Sequence, residues 1–245
     1  MRDFTLKLYR ELLTTLKDYG EVVLRHDVDL KPQNSLATAR IEHGLGWKAV
    51  YYFRAVPESW DEDIILQIRD LGHEIGYHYE SLTTCNGNVD AAWEDFKTNL
   101  AKLSNLIGRP VTSICMHGSP RSPWDSKDIW KEYDYRSLGV TFEPYMDTDF
   151  SRTFYLTDTG RRWDGWKVSV RDRIPEWQEK WENRGLVYHT TDDIINAVKA
   201  GTFPRKVMIT THPQRWTDSK AAWAKELLMQ NVKNIVKRLL VRARP

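Results

Sequence analysis

Four apolar runs of strand length, spread along most of a chain of 245 residues, each end in aspartate or histidine. They are Val22-Val-Leu running into Arg25-His-Asp-Val-Asp29, Glu74-Ile-Gly-Tyr-His78, the stretch 111–116 followed by His117, and Lys206-Val-Met-Ile-Thr-Thr followed by His212. A polar tip on a buried strand puts ligating or proton-transferring groups at the end of the element. In parallel α/β folds all C-terminal strand ends open on one face. Such a chain is constrained to an architecture in which residues remote in sequence converge on one polar cup.

The segments between these runs supply the helices that such a fold requires. Residues 3–16 place Phe4, Leu8, Leu12 and Leu16 at helical spacing and are stopped at Gly20. Residues 34–44 begin beyond Pro32 and end at Gly44, 61–71 carry Ile64, Ile65, Ile68 and Leu71 on one face, and 90–107 close at Gly108. With a strand at 49–54 the order is β, α, β, α, β, α, β, which implies a parallel sheet or barrel with right-handed crossovers. From 122 to 173 the pattern becomes short strands and turns, at 139–142, 153–156 and 166–170. It recovers with a helix at 191–200, capped from Thr190 or Thr191, and a closing amphipathic helix from 219 to about 240. No repeat, low-complexity linker or boundary divides the chain, so residues 1–245 are expected to form a single domain.

Composition narrows the function. Lys plus Arg (36) nearly balance Asp plus Glu (34), and basic residues are scattered up to 233–244, so no phosphate-tracking stripe suggests nucleic acid as a partner. The first ten residues lack an apolar signal core, and no window has the ~20 apolar residues of a membrane span, so a cytoplasmic protein is expected. Two cysteines, Cys85 and Cys115, are too few for a disulfide scaffold or a cysteine-rich zinc module. Any metal must rest on imidazole and carboxylate.

Two or three imidazoles plus a carboxylate suit zinc or another divalent transition ion, with a position left open for water. The candidates at the cup are Asp27, Asp29, His78, His117 and His212. Strand alternation turns His26 away from the face shared by Arg25, Asp27 and Asp29. His43 and His189 are better read as structural. Eleven Trp and eleven Tyr suit flat ligands such as sugars, with Trp124, Trp163, Trp166 and Trp216 in loop-like stretches. Packing beneath long loops explains such aromatics equally well.

Val-Val-Leu-Arg-His-Asp-Val-Asp, Gly-His-Glu-Ile-Gly-Tyr-His and the late Ile-Thr-Thr-His, spanning residues 22–216, resemble the ordered motifs of the polysaccharide deacetylase family, the NodB-homology or carbohydrate esterase family 4 group. More narrowly they resemble its divergent His-Asp-Val-Asp branch associated with bacterial surface polysaccharides. The resemblance implies an α/β fold, a distorted, seven-stranded parallel (β/α) barrel. It also implies a metal-dependent amide hydrolase, a deacetylase that removes an N-acyl group from an amino sugar or polysaccharide precursor.

Carried onto this chain, the resemblance makes Asp27 the general base, His212 the general acid, and Asp29 and His78 metal ligands. The family's second motif histidine is replaced by Leu82, so the third ligand falls to His117 or Glu80. Arg25, Glu80, Asp158, Arg162 and Trp216 are candidates for orienting these groups or binding substrate, and His73 for a structural hydrogen bond. The ion would be zinc, with cobalt, nickel or manganese as alternatives, and the substrate a carbohydrate or nucleotide sugar. Hydrolysis of a small non-sugar amide, or an inactive carbohydrate-binding barrel, are the competing functions.

Overall fold

The computed structural model describes residues 2–119, 122–164, 169 and 172–243. In chain order the regular elements are α1 (Leu6–Leu16), β1 (Glu21–Val28), α2 (Pro32–Gly44), β2 (Ala49–Phe53), α3 (Glu62–Asp70), β3 (Glu74–Tyr79), the single turn α4 (Ser81–Thr84), α5 (Val89–Ile107), β4 (Ile114–Met116), the single turn α6 (Pro144–Asp147), β5 (Phe154–Thr157), α7 (Pro175–Asn183), α8 (Thr191–Lys199), β6 (Lys206–Thr211) and α9 (Lys220–Ala243). Short 3-10 turns at Ser126–Lys131, Tyr135–Leu138, Thr159–Arg161 and Pro213–Arg215 join them.

The strands form one sheet, order β4-β3-β2-β1-β6-β5, parallel at every pairing. This is the α/β architecture with convergent strand tips that the β-α alternation predicts. Among the described residues the sheet has six strands. Residues 139–142 form no strand and contribute a single parallel bridge, Phe142 to Ser113, beside β4. The strand expected at 166–170 falls almost wholly outside the described residues. α7 was not foreseen.

The helices form where the sequence caps them. Thr5 accepts from the Leu8 amide at the start of α1, Asp61 does the same for α3 and Asn88 for α5, and Thr190 with Asp193 makes a reciprocal capping box on α8. α5 ends on Gly108 in the left-handed conformation (φ 70°). Leu8, Leu12, Leu13 and Leu16 on α1, Ile65 and Ile68 on α3, and Phe96 and Leu103 on α5 are buried against the outer face of the sheet and one another. Gly20 does more than end a helix. A Cβ there would lie 2.2 Å from the Arg205 carbonyl oxygen, so only glycine allows β1 and β6 to start side by side.

β1 runs past the apolar triplet through Arg25, His26 and Asp27, all of which are buried. Polar residues can occupy a central strand only if each finds a partner, and each does. His26 points outward, with Nδ1 2.7 Å from Thr211 Oγ1 and Nε2 2.7 Å from Glu42 Oε1 on α2. Glu42 also accepts from Tyr9 and, at 2.8 Å, from Tyr51, while His73 bridges the Ala49 amide (3.2 Å) and the Ala39 carbonyl (3.0 Å). This fully buried polar network pins α1 and α2 to the sheet. Arg25 and Asp27 point to the opposite face of the sheet, toward the cup.

Candidate metal and active site

The tips of β1, β3, β4 and β6 bring Asp29, His78, His117 and His212 together, as the strand-end pattern predicts. Asp29 Oδ1 lies 3.6 Å from His78 Nε2 and 3.6 Å from His117 Nε2, and Asp29 Oδ2 lies 3.9 Å from His212 Nε2. Asp29, His78 and His117 each place a ligand atom within 4.8 Å of the others.

The second nitrogen of each ring explains the arrangement. His78 Nδ1 donates to the Cys115 carbonyl (2.9 Å), His117 Nδ1 to Glu80 Oε2 (2.8 Å) and His212 Nδ1 to Asp158 Oδ1 (2.6 Å). A carbonyl or carboxylate oxygen only accepts, so the proton on each Nδ1 is fixed and each Nε2 turns a lone pair to the cup. Asp29 Oδ1 is buried and has no hydrogen-bond partner. An unpartnered carboxylate oxygen facing two imidazole lone pairs leaves uncompensated negative potential at one point, which a divalent cation relieves. Anion, imidazole and imidazole is also a donor set that zinc accepts. The residues present therefore fit a divalent metal.

Each ligand candidate is steadied from behind. Arg54 forks onto Glu80 through Nε (2.9 Å) and Nη2 (3.0 Å) and donates to the Asp29 carbonyl oxygen (3.1 Å). Burial alone would raise the Glu80 pKa, yet the His117 hydrogen bond and Arg54 hold it at about 2, so Glu80 stays a carboxylate. Of the two candidates for the third donor, His117 faces the cup directly, and Glu80 stands behind it as the acceptor that aims its ring. Leu82 is buried on α4 in an apolar cluster with Ala92 and Ile129 and has no access to the cup.

Asp27 sits deeper. Arg25 grips both its oxygens, Nε to Oδ1 at 3.1 Å and Nη2 to Oδ2 at 2.8 Å. The same Nη2 donates to the Tyr145 hydroxyl (3.1 Å), which donates to Asp172 Oδ1 (2.7 Å). Tyr155 also donates to Asp172, and Thr157 Oγ1 to Asp172 Oδ2 at 2.7 Å. Burial would raise the Asp172 pKa, but His212, Arg25 and the two tyrosine hydroxyls lower it to about 2. Cys115 lies beside Asp27 and His78, and its thiol is pushed far up by burial, which keeps it neutral.

His212 is held through Asp158. Its backbone amide and Nδ1 both donate to Asp158, which also accepts from Arg215 Nη1 (2.6 Å) and Trp216 Nε1 (2.8 Å). Burial would raise the Asp158 pKa, yet Arg215 and His212 keep it below the ordinary carboxylate value.

Of two sequence candidates, Trp216 loses only its ligand-binding alternative, and Arg162 needs correction. Trp216 is 1% exposed, packed edge-on against Phe4 and tilted over Tyr9, so it offers no face to a ligand and acts on Asp158 through its indole N–H. Arg162 forks onto Asp164 (2.5 and 2.6 Å), which pairs in turn with His189, and makes no contact with the cup among the described residues. Trp163 is buried, its N–H donating to Thr191, and Trp124 lies against Gly87 and the Leu82 cluster, while Trp166 lies outside the described residues. Packing, not ligand binding, accounts for those that are described.

Arg54, Tyr145, Asp172, Gln214 and Arg215 escaped the sequence reading. Gln214 donates to Asp29 Oδ2 (3.1 Å) two residues beyond His212, close enough to a strand tip to have been suspected. Asp172 is a lone acid between two arginines, a pattern that reads as a hydrated turn.

No family model matches the chain, and no curated protein matches its sequence. Solved structures align along most of its length. A family 4 carbohydrate esterase from Bacillus anthracis is 12% identical over 94% of this chain and 86% of that one, with a TM-score of 0.44. A family 4 carbohydrate esterase from Streptomyces lividans in complex with acetate is 12% identical over 89% and 90%, with a TM-score of 0.45. PdaA of Bacillus subtilis, also a family 4 carbohydrate esterase, is 10% identical over 91% and 84%, with a TM-score of 0.43. These neighbours are of the family whose motifs the sequence resembles.

Proposed function

We propose that the protein is a metal-dependent deacetylase that hydrolyses the N-acyl amide of an amino sugar or polysaccharide precursor. The observation that carries this reading is the orphaned Asp29 oxygen between two imidazole Nε2 atoms, with Asp27 and the Asp158–His212 pair beside it. Asp29, His78 and His117 would hold the ion, zinc by donor type, with cobalt, nickel or manganese as substitutes. Bound there, a divalent ion supplies Lewis acidity toward an acyl carbonyl and acidifies water.

The protein's own groups then divide the proton transfers. Asp27 accepts the proton of the attacking water, and Arg25 holds its carboxylate in one orientation while leaving a lone pair on each oxygen free. His212 delivers a proton from Nε2 to the departing amine, since an amine anion is too poor a leaving group to go unprotonated. Asp158 fixes the His212 tautomer and stabilises the imidazolium that donates. The burial of Asp27 and Asp158 keeps bulk water from competing for either proton.

The decisive experiment measures acetate release from N-acetylglucosamine oligomers and from a nucleotide-linked N-acetylamino sugar, with protein stripped by chelator and then reloaded with zinc, cobalt, nickel or manganese. Release that depends on the ion and is lost in Asp27→Asn supports the reading. Full metal loading without release from any N-acyl sugar would favour the non-sugar amide or the inactive binding barrel.

A further inference from the structure

α9 has two chemically different faces. Its inner face is tied to the body: Trp223 Nε1 donates to the Asp3 carbonyl (2.6 Å), Glu226 pairs with Lys31 (3.4 Å), Gln230 is buried, and Asn234 Nδ2 donates to the Gly160 carbonyl (2.9 Å). Its outer face carries Leu228, Met229, Val232 and Ile235, which are 68%, 45%, 57% and 59% exposed. Four of the six large hydrophobic side chains that stand exposed on the described surface are thus gathered on one stripe of one helix. Burying that stripe is favourable wherever an apolar medium is offered.

Charge says which medium. Residues 220–245 hold seven Lys and Arg and one Glu, a net charge of +6 in a chain whose net charge is +2, so the rest of the chain is acidic on balance. At 100° per residue, Lys225 falls within the apolar stripe and Lys233 on its flank, where long stems can reach outward past the apolar side chains. A second copy meeting face to face would bring two such basic segments together. An apolar stripe has no use on a phosphate backbone in water. No helix among the described residues is long and apolar enough to cross a membrane, so the helix would lie along a surface.

We propose that the outer face of α9 docks on an anionic lipid bilayer, its apolar stripe in the headgroup region and Lys225 and Lys233 among the lipid phosphates. Asn234 on the inner face ties this helix to Gly160, two residues from Asp158, so docking through the outer face would anchor the body that carries the cup at the lipid surface. The inference rests on α9 alone and not on the catalytic reading.

The test is co-sedimentation of the full chain with vesicles of phosphatidylcholine alone and of phosphatidylcholine containing phosphatidylglycerol. Each is repeated for Val232→Glu/Ile235→Glu and for Lys225→Glu/Lys233→Glu, with the molecular mass of each protein measured by light scattering. The wild type is expected to pellet with the anionic vesicles and not the neutral ones, and to be released by salt. Each double variant should lose more than about tenfold in partitioning, with an unchanged thermal melt because the replaced side chains face outward. Failure to pellet with anionic vesicles, or pelleting that survives Val232→Glu/Ile235→Glu, would overturn the proposal. So would a wild-type dimer that the same substitution converts to monomer, since a second copy would then be the occupant.

Discussion

Nε2 of His117 stands 3.6 Å from Oδ1 of Asp29, the same distance that separates this oxygen from Nε2 of His78. On the proposed reading, His117 from the tip of the next strand would serve where the motif histidine is replaced by Leu82. His78→Ala and His117→Ala are each expected to lose bound zinc, read by elemental analysis after gel filtration. Glu80→Ala should keep the ligand but loosen its aim, weakening zinc binding about 10–100-fold. Leu82→His should gain no metal and destabilise the fold by about 1–3 kcal/mol, because it buries an imidazole in an apolar cluster. Restored metal loading in a His117→Ala/Leu82→His double variant would count against this geometry.

Asp27 and His212 are expected to separate metal binding from turnover. Asp27→Asn should retain stoichiometric zinc and lose about 10²–10⁴-fold in kcat. Asp158→Asn should retain zinc and lose about 10³-fold or more, because an amide can offer its N–H to His212 and reverse the tautomer. Equal loss of zinc and rate in both variants would mean that these carboxylates are ligands instead.

Arg25→Lys tests the fork on Asp27. Lysine keeps the charge but cannot engage both oxygens in one plane. A fall in kcat of about tenfold or more at unchanged KM is expected, with Tyr145→Phe milder because only one bond to Arg25 is lost. A change confined to KM would place Arg25 on the substrate.

The outward network predicts acid sensitivity. Burial acts to raise the Glu42 pKa, but His26, Tyr9 and His73 hold it below the ordinary 4.5. A carboxylate with a depressed folded pKa contributes stability that is complete above 4.5 and is lost as pH falls through the folded value. His73, whose pKa burial depresses below 6.5, adds a loss of the same sign that begins higher, as pH falls below 6.5. Denaturant midpoints measured against pH should therefore decline from near 6.5 downward and steepen below 4.5. Glu42→Gln should be less stable at neutral pH by about 1–3 kcal/mol and show a shallower acid limb. Parallel acid limbs would rule Glu42 out as the titrating group.

Gly76→Ala probes the inner face of the sheet. An added Cβ would meet the Tyr52 ring at 2.4 Å and the Ser113 carbonyl oxygen at 2.9 Å, so β3 would have to part from β4 or Tyr52 would have to leave Ser113. A loss of about 1–3 kcal/mol in thermal or denaturant unfolding is expected.

Much of this was legible because the pattern at strand tips is local while its meaning is topological. Once parallel connections are inferred, Asp27, Asp29, His78, His117 and His212 must meet, and alternation alone separates His26 from Arg25 and Asp27. What could not be read depends on distances across the fold. Whether Glu80 ligates or supports was open until Arg54, from the tip of β2, was seen to claim its carboxylate. Whether Trp216 packs or presents its ring to a sugar is open in the sequence, and only the packing of Phe4 and Tyr9 against it shows that it is core. The sequence ends β1 four residues short, at Leu24 instead of Val28, because charged side chains read as loop when partners such as Glu42 and Thr211 lie elsewhere in sequence.

The pleat of β1 binds two unrelated tasks into one reading frame. A slip of a single residue against β2 and β6 would carry Asp27 into the helical layer and His26 into the cup, destroying the chemistry and the scaffold together. In a library of insertions and deletions, single-residue changes between Glu21 and Asp29 should therefore abolish folded, active protein. Length variation between Lys131 and Asp134, in the exposed link between two 3-10 turns, should be far better tolerated. The heritable freedom of this protein lies in its connections, and its central strand can change in spelling but not in length.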